Sequence, residues 1–350
     1  MLKKKRVKRF NAIFLMVCCI SMLSSCNDGV DEVVGSSLVT LNVTLPQDDM
    51  PEMESPVLRS GNLTGGVGDE SKIESMKIFI FNKDNSAFEV YATSVNNSMW
   101  DDVAKTLRVT VTQGNKRIYC ITNWTDGGDG MTTIANNQTI ANLESAIRSH
   151  ANSFTIGNPP VMTGYFEGSI VGNETDLTIP LKRQIARVEL SFKLSDVLSV
   201  DTRADIKITG VKFMKLPSAS FVFPKLSLAN PGGVTLWNQM AFTGVTTGKL
   251  TGTKADYPTK YYIPENVPTA ANATIMVVSA TYNGDPTYYS IMIDPSKSPS
   301  NASHPHVPYA IERNHTYQYD ITINGKGVAT APTRSGISEG INVSYKLEIK

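Results

Sequence analysis

Leu38-Val39-Thr40-Leu41-Asn42-Val43-Thr44-Leu45 alternates apolar and polar side chains without a break, and Ile341-Asn342-Val343-Ser344-Tyr345-Lys346-Leu347-Glu348-Ile349-Lys350 repeats the pattern. A period of two puts every second side chain on one face of an extended chain, so each stretch reads as a half-buried β-strand. Working outward, the same period recurs at Ala186, Val188, Leu190, Phe192 and Leu194, through Ile275–Ala280, and at Tyr317, Tyr319, Ile321 and Ile323. Ile78 and Ile80 alternate with Phe79 and Phe81, so both faces of that strand read as buried. Runs of Gly, Asn, Asp, Pro and Ser separate these stretches, which predicts an all-β chain of mostly antiparallel sandwiches. Only Ile140–His150 reads as a helix, with Leu143 and Ile147 one turn apart on one face. Residues Gly164–Thr175 read as turn-rich, and a new strand pattern starts at Leu181-Lys182-Arg183-Gln184, where the boundary between two domains is placed.

The start of the chain carries Lys3, Lys4, Lys5, Arg6, Lys8 and Arg9, then an apolar run from Phe10 to Leu23. This is the layout of a secretory signal peptide, and the run is shorter than the roughly 20 residues a membrane-spanning helix needs. It ends in Leu23-Ser24-Ser25-Cys26, the pattern of a bacterial lipobox, in which Cys26 is acylated and the mature protein is anchored by lipid. Residues 1–25 hold six Lys or Arg and no Asp or Glu, so removing them from the 33 and 32 of the whole chain leaves 27 against 32. A mildly acidic mature chain carries no electrostatic footprint for nucleic acid. Cys18 and Cys19 fall in the discarded segment and Cys26 is consumed by lipid, which leaves Cys120 alone, with no disulfide partner in its own chain. Cys120 lies in Arg117-Ile118-Tyr119-Cys120-Ile121 and reads as a buried small hydrophobe.

Catalytic constellations are not assembled in the sequence: no His-Glu-x-x-His, Cys-x-x-Cys or phosphate loop occurs, and Gly336-Ile337-Ser338-Glu339-Gly340, which spells Gly-x-Ser-x-Gly, falls in the loose segment Ala329–Gly340 and not between a strand and a helix as a nucleophile elbow requires. The four histidines are His150, His304, His306 and His315, and the His304-Pro305-His306 pair has no carboxylate at ligand-like spacing, so neither a metal nor another cofactor is expected. Asp126-Gly127-Gly128-Asp129-Gly130 lacks the length and closing acid of a calcium loop and reads as a hairpin tip. Trp100, Trp124 and Trp237 with the abundant tyrosines fit sugar stacking, but aromatics in sandwiches more often serve as core or cross-strand partners.

The first and last strands carry the functional reading. Pro46–Lys72 is rich in Pro, Gly, Asp and Glu without apolar period and contains Leu58-Arg59-Ser60-Gly61, so it reads as an exposed loop open to proteolysis. A cut at Arg59 severs Val39, Leu41, Val43 and Leu45 from everything downstream, and loss of that strand leaves a groove lined by unpaired backbone groups. The final strand, with Ile341, Val343, Tyr345, Leu347 and Ile349 on one face, follows Gly325, Gly327 and the loose segment Ala329–Gly340, which lets it reach a neighbour. Insertion of such a strand into another subunit's groove is head-to-tail and builds a filament. Two ordinary sandwiches that begin and end with strands give the same pattern.

The lipobox at Cys26, Arg59 in its loop, Arg183-Gln184-Ile185-Ala186-Arg187-Val188-Glu189-Leu190, Tyr261-Tyr262-Ile263-Pro264-Glu265-Asn266, and Ile311-Glu312-Arg313-Asn314-His315-Thr316-Tyr317 followed by Gly325 together resemble the fimbrillin family of Bacteroidales, the subunits of protease-assembled type V pili. The resemblance implies two tandem transthyretin-like antiparallel β-sandwiches and export as an outer-membrane lipoprotein. It also implies cleavage between Arg59 and Ser60 by an arginine-specific protease, and polymerisation with copies of itself or related subunits in an adhesive cell-surface fimbrium. The corresponding division is 1–25 signal peptide, 26–59 anchor and removable strand, 60–182 first sandwich, 183–328 second sandwich and 329–350 donor-strand segment. After the cut, residues 60–350 carry 26 Lys or Arg and 25 Asp or Glu, since residues 26–59 hold one and seven. Arg334 offers a second cuttable arginine, whose cleavage deletes the donor strand. The family also contains tip and anchor subunits, so stalk, tip and anchor roles stay open, alongside a surface glycan-binding lipoprotein and, more distantly, a hydrolase.

Overall fold

The computed structural model describes residues 38–44, 72–94, 100–127, 133–150, 160–201, 204–225, 229–237, 240–242, 246–298, 306–332 and 341–349. Two β-sandwiches follow one another along the chain, each with its own core. In the first, one sheet is built from β1 (Leu38–Thr44), β4 (Trp100–Asp101), β5 (Thr106–Thr112) and β9 (Glu174–Thr178), in the order β4-β5-β1-β9. The facing sheet contains β2 (Met76–Asn82), β3 (Phe88–Thr93), β6 (Gly114–Thr122), β8 (Met162–Ile170) and β10 (Leu181–Arg183), in the order β10-β8-β6-β2-β3. Alternation sets what each strand buries: Leu107, Val109 and Val111 of β5 point inward between exposed Arg108 and Thr110, and meet Ile78, Ile80, Ile118 and Cys120 of the facing sheet. Cys120 is fully buried, and desolvation pushes its thiol far above its ordinary range, so it acts as a small hydrophobe.

Phe79, Phe81, Tyr119 and Ile121 project from the other side of the same sheet into a second apolar layer with Trp124, Ile134, Val161 and helix α1 (Ile140–Ser145). Both faces of β2 are therefore buried, as its all-apolar run predicts. Helix α1 is capped by Thr139, whose hydroxyl accepts from Asn142 N at 3.1 Å, and it is shorter than the period suggested. Ala146 turns to φ −59°, ψ 133°, and Ile147–Ser149 extend as β7 against β14 (Ala219–Phe221). Ile147 thus sits on a strand and is not on a helical face with Leu143; pairing with β14 overrides a weak local periodicity.

The second sandwich opposes a sheet of β11 (Ile185–Leu194), β17 (Ala255–Asp256), β18 (Tyr261–Pro264), β21 (Thr316–Ile323) and β22 (Val343–Ile349) to one of β12 (Ile206–Met214), β16 (Met240–Phe242), β19 (Ile275–Tyr282) and β20 (Asp285–Met292). Its core gathers Val188, Leu190 and Phe192 with Tyr317, Tyr319, Ile321, Ile208, Phe213, Met276 and Val278. Asn283 and Gly284, at φ 53° and 88°, close the β19–β20 hairpin, the conformation a two-residue turn needs to match strand twist.

Two departures from the sequence reading are instructive. Gly164–Ile170 belongs to β8 and is not a turn; an added Cβ at Gly164 would lie 2.6 Å from Ile179 Cγ2 and 2.9 Å from the Pro180 carbonyl oxygen, so that glycine admits a close crossing. The sheets are also not wholly antiparallel: β1 runs parallel to β9, and β11 runs parallel to β21. The turn at Asp126 leads from β6 toward α1 and does not join two paired strands, and its carboxylate is engaged by Lys77 Nζ at 2.7 Å, Trp124 Nε1 at 3.0 Å and Ile134 N at 3.2 Å. Residues 128–132 lie outside the described residues.

Candidate assembly strands and the sheets that hold them

Strand β1 lies inside its sheet. All seven residues pair antiparallel with β5, from Leu38 opposite Thr112 to Thr44 opposite Thr106, and residues 40–44 also pair parallel with Glu174–Thr178 of β9. The register sets Val39, Leu41 and Val43 opposite Val111, Val109 and Leu107, which are all buried in the first core. On the alternate positions Asn42 donates to Asp176 Oδ1 at 2.8 Å and accepts from Arg108 Nε at 3.0 Å, a cross-strand link that spans all three strands. Leu45, Cys26, Arg59 and Ser60 lie outside the described residues.

Strand β22 is an edge strand of the same length, seven residues, paired antiparallel with β21 from Val343 opposite Ile323 to Ile349 opposite Tyr317. Val343, Leu347 and Ile349 are buried, Tyr345 is half-buried and packs on the core, and Ser344, Lys346 and Glu348 are exposed. The strand begins two residues later than the alternation suggests. Asn342 is in the left-handed region at φ 54°, and Ile341 lies in the turn before it, 41% exposed. The approach to β22 is docked as far as Val328, which exchanges backbone hydrogen bonds of 2.9 and 3.0 Å with Tyr288 at the edge of β20. Gly327 makes this possible, since a Cβ there would sit 2.4 Å from the Tyr288 carbonyl oxygen. Asn342 is held in turn, accepting from Asn324 N at 2.8 Å and donating to the Lys326 carbonyl at 2.6 Å; residues 333–340, with Arg334 among them, lie outside the described residues.

The three sequence stretches of the second half converge where the sandwiches meet. Tyr261–Pro264 pairs with Ile185–Val188, and Asn266 bridges to Ile311. Arg313, 4% exposed, binds Glu265 Oε2 through Nη2 at 2.6 Å and donates to the carbonyls of Val222 and Phe221 at 2.9 and 2.8 Å. Gln184 Nε2 adds a second donor to the Val222 carbonyl at 3.0 Å. The side chains of Val222 and Phe223 meanwhile pack into the apolar layer on the outer face of the first sandwich. The segment that plugs one sandwich into the other therefore keeps its buried carbonyls satisfied, which a buried crossing requires. Asn314, at φ 64°, accepts from Arg183 N and Nε at 3.2 and 3.1 Å and closes the knot.

Of the tryptophans, Trp124 is buried and Trp100 half-buried against the first core, while the side chain of Trp237 is not among the described ones. One grouping escaped the sequence reading: His306, Glu312 and His315 lie together, so a carboxylate does accompany His306.

Residues 40–183 match the family model described as major fimbrial subunit protein (FimA). The chain is 24% identical over 307 residues to the major fimbrium subunit FimC of Porphyromonas gingivalis, an alignment that covers 86% of this chain and 62% of that protein. It thus spans less than two thirds of the curated relative. Among solved structures, a fimbrilin (fimA) from Porphyromonas gingivalis W83 superposes with a TM-score of 0.57 at 13% identity, covering 91% of this chain and 98% of that one. The tip fimbrial protein Mfa3 from Porphyromonas gingivalis superposes with a TM-score of 0.54 at 13% identity, covering 89% and 99%. The class defined by the fold is the tandem β-sandwich of the fimbrilins. The resemblance to the Bacteroidales fimbrillin family carried by the sequence is borne out by the family model, the curated relative and the fold.

Proposed function

We propose that this chain is a structural subunit of a cell-surface fimbrium, not an enzyme, and that it assembles by strand exchange and supports adhesion. Residues 1–25 direct export, Cys26 takes the lipid that holds the precursor on the outer membrane, and cleavage between Arg59 and Ser60 frees residues 26–59 with β1. Residues 60–182 and 183–328 form the two sandwiches, and residues 329–350 supply the strand that enters the next subunit's vacated slot.

The observation that carries this reading is the contrast in pairing. Among the described residues β1 has a neighbour on each side and β22 has one, at equal length. Loss of β1 leaves β5 and β9 about 9–10 Å apart, twice the ordinary strand spacing and room for one strand. A strand that leaves the edge of its own sheet and enters that slot exchanges one ladder for two. Unpaired backbone groups in a buried slot are the costlier vacancy, so the exchange runs toward the polymer once β1 is gone. The apolar face of β22, with Val343, Tyr345, Leu347 and Ile349, supplies the alternation that the slot's Leu107, Val109, Val111 and Leu177 require.

The test is limited digestion of the exported chain with an arginine-specific protease, followed by N-terminal sequencing and electrophoresis without boiling. A new N-terminus at Ser60, loss of the fragment containing β1 and a ladder of oligomers is the expected result. Clean cleavage that leaves only monomer would refute self-assembly and move the chain to a terminal position in the fibre.

A further inference from the structure

We infer that His306, Glu312 and His315 form a binding site for one divalent transition-metal ion of zinc type. One ligand atom from each residue lies within 4.8 Å of the other two, and His306 Nδ1 is 3.3 Å from Glu312 Oε1. Around a tetrahedral zinc ion, with bonds of about 2.0–2.2 Å, ligand atoms sit roughly 3.3–3.5 Å apart. One pair already meets that spacing, and the remaining closure is within reach of side-chain rotation.

The third ligand is oriented for the task. His315 Nδ1 is 2.9 Å from the Arg313 carbonyl oxygen, so Nδ1 carries the proton and donates there. This fixes the tautomer in which Nε2 presents its lone pair, the arrangement in which a backbone carbonyl orients a metal-binding imidazole. The rings of His306 and His315 stand edge to face, 5.6 Å apart at 87°. The backbone beneath them is held on several sides. Ile311 exchanges hydrogen bonds of 2.7 and 2.9 Å with Asn266, Glu312 N donates to Tyr317 Oη at 2.8 Å, and Tyr309 N donates to Asp294 at 3.2 Å. Tyr309 and Asn314, at φ 62° and 64°, provide the two left-handed bends that bring residues 306 and 315 together. All three residues are half-buried, so the ion would be reached from solvent and keep a position for water. Two neutral imidazoles and one carboxylate suit zinc, cobalt or nickel better than calcium or magnesium, which prefer oxygen. His315 also lines a narrow cleft with Arg183 and Arg187, and Arg187 is paired with Glu189 at 3.0 Å, which moderates its charge.

Calorimetric titration of the metal-stripped full chain with Zn²⁺ tests the site, with the visible spectrum of the Co²⁺ adduct as a second readout of geometry. One ion per chain is expected, with affinity lowered more than about 100-fold in His315→Asn and His306→Asn, since loss of a ligand exceeds the 10–100-fold typical of lost outer partners. Glu312→Gln keeps the shape and the backbone contacts and guards against misfolding; it should weaken binding and reduce the intense tetrahedral cobalt bands. Absence of saturable binding, or one-to-one binding unchanged in all three variants, would overturn the assignment.

Discussion

β1 and β22 are alike in sequence and unlike in place. Each is seven residues of alternating apolar and polar character, yet β1 is clasped by β5 and β9 while β22, among the described residues, pairs with β21 alone. An edge strand can peel away by breaking one ladder, and its departure exposes only one sheet edge. An internal strand leaves two facing edges and an opened core. Under the proposed strand exchange, the difference teaches which strand is to be given up and which is to move: the internal strand is the one to be cut out, and the edge strand the one to swing. The edge strand is preceded by the docking point at Val328, which pairs with Tyr288.

Four perturbations would break or sharpen this contrast, from the largest effect to the smallest. Arg59→Ala should keep β1 attached and abolish the oligomer ladder entirely on digestion, read on an unboiled gel; full polymer from this variant would mean that another site is cut. Leu347→Asp places a charge on the buried face of β22, where Leu347 is 2% exposed. Cleaved protein carrying it should remain monomeric by size-exclusion chromatography, because a charge fits neither the home sheet nor a neighbour's slot. Leu107→Ala acts on the other side of the exchange. Leu107 is fully buried opposite Val43, so the change should lower the unfolding free energy of the uncleaved chain by about 2–5 kcal/mol in urea melts. Asn42→Ala removes the link to Asp176 and Arg108 at partly exposed positions and should lower stability by about 1 kcal/mol or less, while speeding release of the cut fragment.

The sandwich architecture was legible because alternation is a local signal. Val188, Leu190 and Phe192, or Tyr317, Tyr319 and Ile321, announce a buried face without reference to any other part of the chain. Pairing partners are not local, and no period in Leu38–Thr44 discloses that β9 lies alongside it in parallel. The end of α1 was misjudged because Ile147 happens to fall one turn after Leu143, whereas the chain turns at Ala146 to reach β14. Gly164 looks like turn chemistry in the sequence and is a close crossing near the start of β8. The stretches around Arg183, Glu265 and Arg313 could be seen to matter, but not why. Their convergence on the Phe221 and Val222 carbonyls depends on three loops meeting in space. The His306 grouping was invisible for the same reason, since two left-handed bends separate its members.

Locking β22 in place tests the account most directly. Thr322 and Ser344 face each other across the β21–β22 ladder, so Thr322→Cys with Ser344→Cys permits a disulfide that staples the strand to its home sheet. The account predicts that the oxidised variant, once cleaved after Arg59, stays monomeric, and that adding a reductant to the same sample starts polymer growth. Polymer that forms equally well with the staple closed would show that β22 never leaves its sheet, and would contradict strand exchange.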